Sequence, residues 1–455
     1  MQHNGNVKKV MPMIMVIFLS SATLIQAFTI ISPQLARDFN LPESTISIQV
    51  SIAMLVMGVA SMIYATLSDS ISIRKLIIFG VLIMCISSVL GFVFSHSFIM
   101  VVISRALQTF GGTSASALLI ITVTKYLDEK TQVKYYGYNT ACVQASMALG
   151  VLGGGFLSTY VSWRFLFLLP LITLLLVPSL LKNLPEDSKK TERKLDIAGI
   201  SLISFITILL TLYFNNLNII LLLLSLFSIV LFVFYIMKNK NAFITIDFFQ
   251  NKKYLLAILL VFLTFGSQAA FSFVFGFLAQ SIYQVNLGTV SLIMLPSFVV
   301  GTIIGVISGK ITIQLGVPKT LMIAIGLMGV SLLIGAVLID TNITVLALVT
   351  CLFSGAMGLL YAPFMKIVVS ALPIEKVGAG LGFFNLSISI ASTIWIAITG
   401  KLLSMDSLYK TNLFAFETSS APLYSNILLI YVVLITIGLG LYYINKNTLS
   451  FKENN

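Results

Sequence analysis

Along the chain, apolar residues come in continuous blocks of about 20 separated by short polar stretches, from one end to the other. Each block is long enough for a helix to cross a hydrocarbon layer of ~30 Å. The blocks do not alternate residue by residue, so they do not describe the strands of an outer-membrane barrel. Fourteen spans are predicted, near 10–33, 44–66, 76–95, 97–123, 135–160, 164–182, 197–214, 217–237, 254–282, 289–309, 320–339, 343–371, 377–403 and 424–444. At roughly 21 residues each they absorb about 290 residues and leave no room for a soluble catalytic domain. The expected fold class is an all-α polytopic membrane protein.

Composition sharpens this by exclusion. Charged residues make up 9% of the 455 and apolar ones 58%, whereas soluble domains carry about 25% charge. A soluble enzyme, a disordered chain and a secreted disulfide scaffold are excluded. Of the 27 Lys and Arg, all but five fall on connections of one parity, from Lys8 and Lys9 to Lys446 and Lys452. Arg37, Arg164, Lys401 and Lys410 lie on the other side, and Arg105 lies within a span. Cytoplasmic connections collect Lys and Arg, so both termini are expected in the cytoplasm. The +12 net charge then answers to topology and anionic headgroups rather than to nucleic acid. The first span is too long for a cleaved signal peptide and lacks its processing site. Cys85, Cys142 and Cys351 fall within spans and read as packing residues. His3 and His96 leave no metal or His-based catalytic cluster, so neither a cofactor nor enzymatic activity is expected.

Shifting the sequence by 244 residues lays the first six spans on the last six. Thr45-Ile-Ser-Ile then meets Thr289-Val-Ser-Leu, and Leu67, Ser72 and Lys75 meet Ile311, Gly316 and Lys319. This predicts an N-terminal six-helix bundle over 1–182, an inserted pair with its loops over 183–253, and a C-terminal six-helix bundle over 254–455. Parallel repeats of this kind belong to transporters, with the substrate cavity between the halves. Asp196 is placed to cap the seventh span. The inserted pair is expected to contribute packing alone.

Three motifs carry chemistry. Tyr64-Ala-Thr-Leu-Ser-Asp-Ser-Ile-Ser-Ile-Arg-Lys-Leu76 puts an acid, Asp69, and two cations, Arg74 and Lys75, at a helix end. There a charge pair formed in one conformer alone can bias a two-state equilibrium. Arg105 and Gln108 in the fourth span are three apart and share a helix face. An Arg inside a span costs roughly 2.5–3.5 kcal/mol on insertion scales and should face the protein interior. Gly150-Val-Leu-Gly-Gly-Gly155 lets helices approach closely, and Gly150, Gly154 and Gly155 suit a tight seam.

These stretches resemble the major facilitator superfamily. Asp69, Leu67, Arg74 and Lys75 match its G-x-L-a-D-r-x-G-r-k signature, with Ala65 and Ser72 at the glycine positions. Arg105 and Gln108 match R-x-x-q-G-x-g, with Thr109 at the middle glycine. The glycine run is similar to the G-P-x-x-G-G motif of antiporters, with Val151 in place of proline. The span count and these motifs resemble the fourteen-helix drug:proton antiporter group, and within it the Gram-positive tetracycline and multidrug exporters. The resemblance implies a monomeric antiporter in a bacterial plasma membrane that exchanges an amphipathic small molecule for protons.

One departure matters. All fifteen acids fall in loops or at span ends, whereas the related exporters place acids within the first, fifth and thirteenth spans. The cavity candidates are instead Arg105, Gln108, Gln26, Gln49, Asn139, Gln144, Gln268, Gln280, Asn385 and Tyr361, with Asp38 and Asp69 as rim acids. Such a lining is expected to prefer neutral, zwitterionic or anionic amphiphiles to lipophilic cations. An alternative on the same scaffold is a translocator of fatty acids or lipid-like anions. Gly305-Val-Ile-Ser-Gly-Lys310 lacks the spacing of a phosphate loop, so ATP-driven transport is not expected.

Overall fold

The computed structural model describes residues 2–68, 71–127, 129–185, 196–239, 242, 244–372 and 377–446. Every regular element among them is helical. The first half contains α1 (Gln2–Ile30), α2 (Ser32–Phe39), α3 (Glu43–Leu67), α4 (Ile73–Val93), α5 (Phe98–Tyr126) and α6 (Glu129–Tyr160). It ends in a 3-10 stretch, Trp163–Leu176, that runs into α7 (Val177–Asn183). The helices of the pair expected to be inserted are α8 (Ile197–Asn216) and α9 (Ile219–Lys238). The second half contains α10 (Ile246–Gln250), α11 (Lys252–Tyr283), α12 (Leu287–Val337), α13 (Ile343–Ala371), α14 (Val377–Leu403), α15 (Asp406–Lys410) and α16 (Ala421–Ile444).

Thirteen described helical segments are long and apolar enough to cross a bilayer, and α12 counts twice. Its 51 residues would measure ~77 Å as a straight helix, more than double a hydrocarbon layer of ~30 Å. It breaks at Gly316, whose φ of 77° and ψ of 155° fall where a side chain is disfavoured. The two limbs are the predicted tenth and eleventh spans. The sixth span departs from the expected α-helix. Its first 14 residues are 3-10 and enclose Pro170, which has no N–H to donate and whose ring clashes with α geometry. At a rise of ~2.0 Å per residue that stretch covers ~28 Å, most of the layer.

Polar residues in the connections start the helices. Asp196 Oδ1 accepts from Gly199 N at 2.9 Å, Asn251 Oδ1 from Tyr254 N at 3.1 Å, and Asn286 Oδ1 from Thr289 N at 2.9 Å. Asp196 therefore caps α8 as expected. Asp196→Ala is expected to lower stability by about 1 kcal/mol, measurable as an earlier thermal transition of the purified protein.

The halves do not share their core evenly. Phe28, Ile31, Leu35, Val50, Trp163 and Phe167 of the first half pack in one apolar cluster with Phe265, Met294, Phe384 and Trp395 of the second. The opposite ends of the first-half helices have a separate core, including Val10, Ile14, Ile77, Met84, Leu118 and Val123. The two halves thus pack together at the end that carries α2 and Trp163.

Two helix pairs form the seams. Between α3 and α14, Ser51 Oγ donates to Thr393 O at 3.1 Å and Thr393 Oγ1 donates to Ser51 O at 3.2 Å. Between α6 and α12, Ser291 Oγ donates to Val151 O at 2.6 Å, and Gly288 N donates to Thr159 Oγ1 at 3.0 Å. Each seam closes on a serine opposite a glycine. A Cβ on Gly400 would stand 2.6 Å from Ser47 Cβ, and one on Gly155 would stand 2.4 Å from Leu287 O, beside Ser291. Ser47 and Ser291 are the residues that the 244-residue repeat superposes.

Candidate substrate pathway

The pathway is built outward from α5. Arg105 and Gln108 are both 1% exposed. One Arg105 Nη donates to Gln108 Oε1 at 3.0 Å, and Gln108 Nε2 donates onward to Ser88 Oγ on α4 at 2.8 Å. The Arg105 guanidinium lies 4.3 Å from the centroid of the Phe28 ring on α1. Such a desolvated cation–π contact is worth ~2 kcal/mol or more. Arg105 Nε and its second Nη have no acceptor. The cation is therefore held by a neutral amide and a ring face, with the three N–H groups of two nitrogens left over.

Phe28 connects Arg105 to the rim. Its ring meets Trp163 edge-on at 6.4 Å and Phe167 at 4.9 Å. Trp163 Nε1 donates to Asp38 Oδ2 at 2.7 Å, and Gln34 Nε2 donates to Asp38 Oδ1 at 2.6 Å. The neighbouring Arg37 donates to Gln34 Oε1 at 2.7 Å and, across to the second half, to Gln280 Oε1 at 2.9 Å. The short helix α2 thus carries a rim acid that touches the aromatic wall, and a rim cation that bridges the halves. Every acid among the described residues lies in α2, α10 or α15, at a helix end or in a connection, as the sequence predicted.

The remaining candidates are dispersed. Gln49 is buried and donates to Phe28 O at 3.1 Å and Ser32 Oγ at 3.4 Å, with its Oε1 unpaired. Gln26 is buried with Nε2 unpaired. On the other half, Gln268 joins Ser272, Ser297, Thr350 and Ser354 around a small cavity of about 10 Å³, the size of one water. Tyr361 and Asn385 are exposed within their spans. Phe265 contacts the rings of Tyr361 at 6.4 Å, Phe364 at 5.8 Å and Phe384 at 6.4 Å. Asn139 and Gln144 are half-buried on α6. The structure therefore joins Arg105 to Gln108 and ties Gln49 to the backbone of Phe28. Asn139, Gln144, Gln268, Asn385 and Tyr361 stand apart from that group. Phe28 and Ser88, which complete it, carried no signal in the sequence beyond their residue type.

Of the gating motif, Asp69 lies outside the described residues. Arg74 Nη1 donates to Leu181 O in α7 at 3.1 Å, and Ser72 Oγ accepts from Lys75 N at 3.4 Å. The glycine run divides in two. Cβ atoms on Gly150 and Gly154 would stand 2.5 Å from Thr23 O and 2.8 Å from Ala27 O of α1, inside the first half. Gly155 alone of the three faces the other half.

Comparison with known proteins agrees with this architecture. The family model described as Major Facilitator Superfamily matches residues 13–396. The chain is similar to the quinolone resistance protein NorB of Staphylococcus aureus, 24% identical over 400 residues that cover 82% of this chain and 84% of that protein. Among solved structures it resembles an auto-inhibited POT family peptide transporter, with TM-score 0.66, 13% identity, and coverage of 94% and 96%. It also resembles a D-xylose–proton symporter, with TM-score 0.65, 14% identity and the same coverage. Thirteen described segments long and apolar enough to cross a bilayer and a family-model match over residues 13–396 lead to one conclusion: the chain is a multi-pass membrane protein of the major facilitator superfamily, a transporter and not an enzyme.

Proposed function

We propose that the protein is a secondary-active exporter of amphipathic small molecules that works by alternating access and takes protons inward in exchange. The observation that carries this is Arg105, a buried guanidinium with two unpaired nitrogens and no acid beside it among the described residues. A carboxylate on the substrate is the natural partner for those groups, since charge-assisted hydrogen bonds are about twice as strong as neutral ones. The preferred cargo is therefore a zwitterionic or anionic amphiphile with an aromatic or lipid-like body. Quinolones, which bear a carboxylate on a planar ring system, fit this description, and a relative is named for resistance to them.

The bias of Lys and Arg supports a cytoplasmic position for both termini. The α2 end is then the outer face, and the arrangement described above is the outer-closed one. Export requires those seams to part while the opposite ends close. Asp38, exposed on α2 and bonded to Trp163, is the rim acid best placed to take a proton from outside. The cations Arg74 and Lys75 belong to the opposite end, and with Asp69, near them in the sequence, would bias the same equilibrium.

The test is a susceptibility panel in a bacterial host stripped of its own pumps, spanning quinolones, tetracyclines, cationic dyes and fatty acids. Protection against carboxylate-bearing compounds is expected. A protein that protects against cationic dyes alone would not be the exporter proposed. Asp38→Asn keeps the shape of the rim and removes its titratable group. It is expected to reduce substrate-driven proton movement in everted vesicles several-fold while leaving substrate binding in place. Unchanged proton movement would assign the coupling elsewhere.

A further inference from the structure

The inserted pair is unequal. α9 turns much of its surface outward, with Ile219, Leu223, Phe227 and Val230 all about 60% exposed. By contrast, α8 packs against both α3 and α14, one helix from each half. Its contact face is a stripe at four-residue spacing, Gly199, Ile203, Thr207, Thr211 and Asn215, all buried. The two threonines donate to their own helix, Thr207 Oγ1 to Ile203 O at 2.8 Å and Thr211 Oγ1 to Thr207 O at 2.7 Å. Asn215 is different, because it reaches out of α8. Ser47 Oγ donates to Asn215 Oδ1 at 3.2 Å, sharing its proton with Ser44 O at 2.8 Å.

Ser47 is no ordinary partner. It is fully buried and stands at one of the close approaches of the α3–α14 seam, against Gly400. The internal repeat supplies a comparison within the same molecule. Ser291, the counterpart of Ser47, donates straight across its own seam to Val151 O. At the first seam Ser47 makes no such bond to α14, and its outward acceptor is the amide of the inserted helix. The remaining half of that amide is anomalous, since Asn215 Nδ2 is buried without an acceptor. A residue present for packing alone would be apolar here, because a buried unpaired donor is unfavourable. The polar side chain sits instead where the moving halves meet.

We propose that α8 is part of the rocking mechanism, with Asn215 a positioning residue that grips Ser47 where α3 closes on Gly400 of α14 and holds the halves in the arrangement seen here. This rests on the alternating-access reading above and extends it by giving the inserted pair a task. Both seams carry direct bonds, Ser291 to Val151 at one and Ser51 with Thr393 at the other, and the α3–α14 seam has in addition a contact through α8 that the α6–α12 seam lacks. Changes on α8 should tune the balance of conformers with no contact to the substrate.

The experiment measures distances between spin labels at the exposed positions Asn40 and Gln284, on opposite halves at the α2 end, with Cys85, Cys142 and Cys351 first replaced by serine. Wild type should show a short, dominant distance and a minor longer one. Ser47→Ala should raise the minor population about three- to tenfold, the range expected for one buried hydrogen bond. Asn215→Ala added to Ser47→Ala should raise it no further. Thr211→Ala, on the same stripe but bonded within α8, should leave it unchanged. Additive effects of Ser47→Ala and Asn215→Ala, an equal effect of Thr211→Ala, or no effect of Ser47→Ala would overturn the proposal. A single distance in wild type, with and without substrate and at every pH, would instead defeat alternating access itself. Should an alanine at 215 prevent accumulation in the membrane, Asn215→Ser provides the same comparison.

Discussion

Arg105→Gln is expected to lower transport of carboxylate-bearing substrates by about ten- to a hundredfold, equivalent to roughly 1.5–3 kcal/mol for a hydrogen bond to a charged group. Glutamine retains a donor of similar reach and can still bond to Gln108, so the helix face is preserved. What disappears is the positive charge stacked on Phe28. The change should also relax selectivity: a lipophilic cation, repelled by the wild-type guanidinium, should be carried no worse and by preference better. Initial rates of uptake into everted vesicles, with protein amount matched by immunoblot, give both numbers. Equal rates for wild type and variant on every carboxylate would remove Arg105 from recognition.

Gly155→Val is expected to reduce transport below a tenth of wild type without removing the protein from the membrane. The added side chain would meet Leu287 O at 2.4 Å and Ser291 Oγ closer still. The carbonyl belongs to a helix backbone and cannot swing aside, so the α6–α12 seam must separate. Overpacking of this kind costs about 1–3 kcal/mol, all of it in the arrangement where the seam is closed. The matched control is Gly153→Val two residues earlier, where a Cβ would meet nothing within 4 Å. That substitution should leave transport and thermal stability unchanged. Transport by Gly155→Val at the wild-type rate would show that the seam does not need to close.

Much of this architecture is legible in the sequence because a bilayer restricts the choices so severely. Backbone groups in hydrocarbon must be satisfied within the segment, so a block of about 20 apolar residues can only be a helix. The serine–glycine seams were half visible: the repeat aligned Thr45-Ile-Ser-Ile with Thr289-Val-Ser-Leu, and the structure shows both serines facing glycines in the opposite half. What the sequence could not say is which glycines do so. Gly150 and Gly154 look no different from Gly155 in a linear motif, yet they seat α6 on α1. The 3-10 geometry of Trp163–Leu176 was also hidden, because Pro170 in an apolar run is compatible with a kinked α-helix.

The candidate site was legible in its charge and illegible in its shape. A lone Arg amid apolar residues announces itself, and Gln108 three residues on shares its face. The ring beneath the guanidinium does not, since Phe28 is one of 33 phenylalanines and nothing in its neighbourhood sets it apart. Phe271, Phe273, Phe275 and Phe277 illustrate the difficulty, for all four are buried packing residues. The pair α8 and α9 shows the same limit. Its composition reads as packing alone, and nothing in the sequence tells that Asn215, near the end of an apolar helix, bonds to Ser47 on α3.

Purified protein in proteoliposomes, loaded with a pH-sensitive dye and offered substrates one at a time across an imposed proton gradient, tests the central claim most directly. The claim is that a pocket with a buried cation and no acid within the spans selects its cargo by negative charge. A zwitterionic quinolone should dissipate the gradient in proportion to protein, ethidium should do so weakly, and Arg105→Gln should abolish the difference. Faster dissipation by ethidium than by the quinolone, persisting in Arg105→Gln, would contradict it.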